Sequence, residues 1–110
     1  MMKVYGFSLS GNCYKIKLLL NFLRKDYRWI EINSLHGETR TDDFLAKNIN
    51  GKIPLLELET GEFLPESGAI LFYLAKNSSF LPDDNFKQAQ VLQWLLFEQH
   101  SHVPYIAINR

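Results

Sequence analysis

Gly51-Lys52-Ile53-Pro54-Leu55-Leu56-Glu57-Leu58 and, beyond a Gly61 turn, Pro65-Glu66-Ser67-Gly68-Ala69-Ile70-Leu71-Phe72-Tyr73-Leu74-Ala75 form the stretch on which the fold turns. It reads as a turn, a strand over 54–59, a hairpin at Thr60-Gly61, a short strand near Phe63 and a helix over 66–76. Pro54 has no N–H to give to a ladder, so it belongs at the head of its strand. Ile53 before it is driven to extended backbone, and the X-Pro bond admits a cis isomer. A cis bond would leave the Ile53 N–H and C=O facing outward, open to an extended ligand as though to a missing strand. Pro65-Glu66-Ser67 suits the opening of a helix, with the proline at its start and Glu66 and Ser67 in its first turn. The free N–H groups and positive end of such a helix suit a carboxylate. The same residues equally describe a strand edge and a well-capped helix that bind nothing.

Upstream, residues 4–7 are a short apolar run closed by Ser8, fit for a buried strand. Ser10-Gly11-Asn12 is polar and turn-prone, and Ile16, Leu19, Leu20 and Leu23 then recur at helical spacing across 14–23. Tyr27-Arg28-Trp29-Ile30-Glu31-Ile32 alternates as a second strand. Residues 33–41 read as a loop with a turn at His36-Gly37, and Thr41-Asp42-Asp43 caps a short helix. The order over residues 3–76 is β-α-β followed by α-β-β-α. This predicts an α/β, thioredoxin-like domain with a mixed four-stranded sheet and helices on both faces. Residues 77–85 read as a linker, and the segment 86–110 opens with a helix crowded with Val91, Leu92, Trp94, Leu95, Leu96 and Phe97. Such a helix is apolar on more than one side and calls for partners on each. Pro104 interrupts its continuation.

The chain has 110 residues, of which 46% are hydrophobic and 22% charged, ordinary values for one folded domain with a modest core. Twelve basic and twelve acidic residues cancel, so there is no electrostatic case for nucleic acid or an anionic membrane. One cysteine excludes an internal disulfide and a cysteine-based zinc cluster. No signal peptide and no membrane-length apolar run stand out, so a cytoplasmic location is expected.

Chemistry is expected where the first strand meets the first helix. A C-x-x-C redox pair would sit there in a thioredoxin-like fold, but here Ser10 holds the first, exposed position and Cys13 takes the second. A serine cannot form a mixed disulfide. It can donate a hydrogen bond to a bound thiolate and lower that thiol's pKa, or it can simply cap the helix. Asn12 ranks behind Ser10 as such a donor, and Cys13 reads as a small packed hydrophobe rather than a nucleophile. His100 and His102 lack the company a metal site needs, so no metal is expected. Lys52, and Arg40 or Thr39, are either surface residues or charges for a ligand carboxylate.

Taken together, Ser8-Leu9-Ser10-Gly11-Asn12-Cys13, Asn50-Gly51-Lys52-Ile53-Pro54-Leu55-Leu56 and Leu64-Pro65-Glu66-Ser67-Gly68-Ala69-Ile70 resemble the N-terminal domain of a bacterial, serine-type cytosolic glutathione S-transferase. The tail Trp94-Leu95-Leu96-Phe97-Glu98-Gln99-His100 with Pro104-Tyr105-Ile106-Ala107 resembles the fourth helix of bacterial members. The resemblance implies glutathione as co-substrate, an electrophilic small molecule as its partner, and a homodimer. It implies Ser10 as the thiol-activating hydroxyl and Ile53 as the residue whose main chain pairs with the cysteinyl part. Ser67 and the helix N-terminus would hold the γ-glutamyl carboxylate and Glu66 its ammonium. Lys52, with Arg40 or Thr39, would meet the glycine carboxylate. It further implies domains at 1–76 (glutathione-binding), 77–85 (linker) and 86–110 (the start of a truncated helical domain). Glutathione conjugation is one expected activity; a non-catalytic binding or interaction module of the same fold is the other. A glutaredoxin-like reductase acting through Cys13 ranks last.

Overall fold

The computed structural model describes residues 1–100. Two compact units divide the chain, Met1–Leu74 and a second beginning at Ala75.

The first unit is built on a four-stranded sheet in the order β2-β1-β3-β4. Strand β1 (Met2–Gly6) runs parallel to β2 (Tyr27–Glu31) and antiparallel to β3 (Leu55–Glu57), which pairs antiparallel with β4 (Phe63–Pro65). Helix α1 (Gly11–Leu23) joins the parallel pair. Two 3₁₀ turns, Ser34–His36 and Glu38–Arg40, and helix α2 (Asp42–Lys47) lead to β3, and α3 (Ser67–Ala75) follows β4. The mixed sheet and the β-α-β, α-β-β-α order are those expected from the sequence.

Alternation along β1 sends successive side chains to opposite faces. Val4 joins Ile16 and Leu20 of α1, Leu56 of β3, and Ile70 and Leu74 of α3 in the larger core. Tyr5 turns to the other face and packs with Phe44 of α2 and Leu55. Helices therefore cover both faces. The strands differ from expectation at their ends: β1 begins at Met2 rather than Val4, and β3 stops at Glu57. The 33–41 segment, read as a loop, holds two 3₁₀ turns separated by Gly37 at φ 76°.

One expectation is corrected. Pro65 does not open the third helix; it closes β4, and the helix starts at Ser67. β4 lies at the sheet margin, where a residue without an N–H is tolerated because one side of the strand has no neighbour. Glu66 between them takes a left-handed backbone, φ 78°.

In the second unit, Asp84 caps α4 (Asn85–Phe97) by accepting a 2.9 Å hydrogen bond from the Lys87 N–H. No residue of α4 is buried; Phe86 is 71% and Trp94 64% exposed. The readings placed on His102 and on Pro104 to Ala107 lie outside the described residues. Among the described residues no helix is long and apolar enough to cross a membrane.

Candidate functional site

The sheet register gathers the candidate residues at one end. Gly6, the last residue of β1, faces Glu31, the last of β2. Leu55, the first of β3, faces both Tyr5 of β1 and Pro65, the last of β4. The Ser8–Ser10 loop, Ile53-Pro54 and Glu66-Ser67 thus emerge side by side from the same margin, although nearly 60 residues separate the first from the last.

Ser10 caps α1. Its Oγ accepts a 3.3 Å hydrogen bond from the Cys13 N–H, and its own N–H donates to Phe7 O at 2.9 Å. The oxygen is engaged as an acceptor, and a hydroxyl that accepts keeps its own proton to donate, to the Cys13 thiol beside it or to a ligand. Capping and donation to a ligand are therefore compatible, and the sequence reading had set them against each other. Cys13 is fully buried; burial pushes its thiol up, against smaller lowering by its contacts with Ser10 and Phe7. A buried thiol held protonated is a poor nucleophile, which disfavours the glutaredoxin-like reading.

The Ile53-Pro54 peptide is cis, and Ile53 lies just outside the β3 ladder. The turn that delivers it is fastened by Asn48, a buried residue to which the sequence had given no role. Asn48 Nδ2 donates to Lys52 O at 2.9 Å, and its Oδ1 accepts from the Asn50 N–H at 3.2 Å. Gly51 sits at φ 61°, and a Cβ there would come within 3.1 Å of Thr39 O and 3.2 Å of Arg40 Nη1. Arg40 is therefore brought beside the turn at Gly51, next to Lys52 in the chain, and Thr39 is buried. Lys52 is exposed.

Ser67, 4% exposed, is the first residue of α3. The first helical bond runs from Ile70 N–H to Glu66 O at 3.0 Å, so the N–H groups of Ser67, Gly68 and Ala69 precede it. Such a terminus accommodates an anion. Glu66, exposed, stands next to it. His100 is exposed and belongs to the second unit.

Glu31 also went unnoticed in the sequence. Its carboxylate accepts from Ser8 N–H at 3.1 Å, from Ser8 Oγ, and from Trp29 Nε1 at 2.8 Å. These hydrogen bonds, the Ser8 hydroxyl first, hold its carboxyl below the usual range. An acid at the end of an alternating strand looks like a solvent-facing residue, and nothing in the spacing marks its partner in another loop.

Fold and site together define a thioredoxin-like domain that carries a hydroxyl, not a thiol, at the cap of its first helix. Residues 1–76 match the family described as glutathione S-transferase, N-terminal domain, and the chain belongs to that family. A crystal structure of glutathione S-transferase from Pseudomonas fluorescens [Pf-5] is 59% identical with a TM-score of 0.94, over 97% of this chain and 53% of that one. A glutathione transferase homolog from Sulfitobacter with bound glutathione is 25% identical with a TM-score of 0.83, over 96% of this chain and 52% of that one. Among curated proteins, the disulfide-bond oxidoreductase YfcG of Escherichia coli (strain K12) is 35% identical, over 99% of this chain and 54% of its own length. The chain spans about half the length of YfcG and of these two solved relatives.

Proposed function

We propose that this chain binds glutathione at the margin where Ser10, Ile53 and Ser67 converge, and activates its thiol for attack on an electrophilic small molecule. The observation that carries this reading is the sheet register: it sets a hydroxyl donor, an unpaired stretch of backbone and a helix N-terminus next to one another. Those are the three features an extended, doubly charged tripeptide with a thiol at its centre needs. Family membership and the glutathione bound to the Sulfitobacter homolog support it.

Ser10 donates a hydrogen bond to the thiolate and so favours the charged form. The Ile53 main chain pairs with the cysteinyl part. Ser67 and the start of α3 take the γ-glutamyl carboxylate, Glu66 faces its ammonium, and Lys52 with Arg40 holds the glycine carboxylate. On this reading 1–76 is the glutathione-binding domain, 77–85 a linker, and 86 onward the start of a helical domain. The whole protein works as a cytoplasmic homodimer in detoxification.

The test is titration of reduced glutathione into the 110-residue chain by calorimetry. Ser67→Ala and Glu66→Ala are each expected to weaken binding about tenfold, the loss of one charge-assisted hydrogen bond. A folded chain that binds no glutathione would refute the reading. The exposed apolar side chains of α4 favour a second reading, a transferase-like module that docks a partner without turnover. Ser10→Ala separates the two: a transferase loses rate with an electrophile while keeping its affinity for glutathione, and a docking module has no rate to lose.

A further inference from the structure

The loop that carries Ser10 has no regular structure between Gly6 and Gly11, yet Phe7, Ser8 and Ser10 in it are each fastened by hydrogen bonds. Phe7 N–H donates to Cys13 Sγ at 3.5 Å, and Ser10 N–H returns to Phe7 O. Between these two points, Ser8 is held from the neighbouring strand by Glu31 alone, through both its N–H and its hydroxyl. Glu31 is itself oriented by Trp29 Nε1. The indole in turn is wedged in place: a Cβ on Gly6 would lie 2.6 Å from its ring, and Lys17 Nζ of α1 stands 4.7 Å from its centroid. The chain of contacts runs from the packed end of β2 to a point two residues before Ser10.

We infer that Glu31 is a positioning residue for Ser10, holding the loop after β1 so that the Ser10 hydroxyl is aimed at the bound thiol. The inference rests on the function proposed above. Glu31 acts through Ser8 and touches neither ligand nor reacting atom. The titratable groups around it are Lys17 of α1, whose charge favours its ionised form, and the Cys13 thiol, which is held protonated.

Charge and position predict opposite signs, which makes the test sharp. A carboxylate near a thiolate raises the thiol's pKa by repulsion, so removing the charge alone would lower it. Removing the clamp instead releases Ser10 and raises it. Glutathione affinity is read by calorimetry, and the pKa of the bound thiol from its ultraviolet thiolate absorbance against pH. Glu31→Ala is expected to change affinity by less than about threefold and to raise the bound-thiol pKa by about one unit, a tenfold loss of thiolate near neutrality. Glu31→Gln keeps an acceptor for the Ser8 N–H and should return the pKa most of the way to the parent value. Ser8→Ala, which removes one of the two contacts, should fall between and serves if Glu31→Ala does not fold.

An unshifted or lowered bound-thiol pKa in Glu31→Ala, or in Ser8→Ala should Glu31→Ala not fold, with the parent binding normally, overturns the inference alone. A parent chain that binds no glutathione refutes the functional reading itself, and the inference with it.

Discussion

Leu55 and Leu56 are neighbours in β3 and both are fully buried, but they belong to different cores. Leu56 enters the α1/α3 face, where six buried aliphatic residues interlock. Leu55 enters the α2 face, where it meets only Tyr5 and Phe44 as buried partners, beside half-buried Ile30, Ile32 and Ile53. The first face resembles an ordinary domain interior. The second is thin and rimmed by the loops that carry Thr39, Arg40, Asn48 and Lys52 toward the candidate site. Stability is concentrated on one side of the sheet, and part of the candidate site hangs on the other.

The largest effect should come from truncating these two leucines. Leu56→Ala is expected to lower unfolding free energy by about 4 kcal/mol and Leu55→Ala by about 2–3, since a cavity beside loops collapses more readily. Urea denaturation measures both, and the reverse order would show the α2 face to be the firmer one. Asn48→Ala comes next. It leaves Lys52 O and the Asn50 N–H without their side-chain partner and should cost about 1–2 kcal/mol. If the α2 side serves binding more than folding, glutathione affinity should fall further than that loss explains; calorimetry on the folded variant decides.

The smallest effect is confined to alkaline pH. Burial first, then the 2.6 Å hydrogen bond to Glu57, pushes the Tyr5 phenol up to about 12. Its folded pKa lies above the ordinary value of about 10, so the folded state holds the proton more tightly than the unfolded chain. That contribution is whole below about pH 10 and is lost as pH rises toward about 12. Tyr5→Phe should flatten the stability profile across this window and differ from the parent by about 1 kcal/mol below it. Parallel profiles for parent and variant would dissociate Tyr5 from the alkaline loss.

The helices and strands and their succession along the chain were legible because local pattern and tertiary packing agree there. The 3.6-residue spacing of Ile16 and Leu20 and the alternation of Tyr27 to Ile32 carry their own periodicity. Pro65 was misread because its meaning depends on strand order: proline is barred from a central strand, and only the position of β4 at the margin excuses it. Asn48 and Glu31 were invisible for another reason. Each acts on residues brought near by a turn or a parallel pairing, and neither breaks the local pattern around it. The six residues named for glutathione were found by motif, and the register that assembles three of them could be drawn only once the strands were paired.

Glu66 marks a place where foldability and chemistry pull apart. A residue with a Cβ in left-handed backbone costs about 1–2 kcal/mol, and glycine would sit at φ 78° without that penalty. Under drift toward thermostability alone, this position would slide to glycine, and the carboxylate at the start of α3 would disappear. Its presence makes residue 66 a place where the proposed ammonium contact can be tested across homologous chains: those with an acid or amide there carry a group able to make it, and those with glycine lack one.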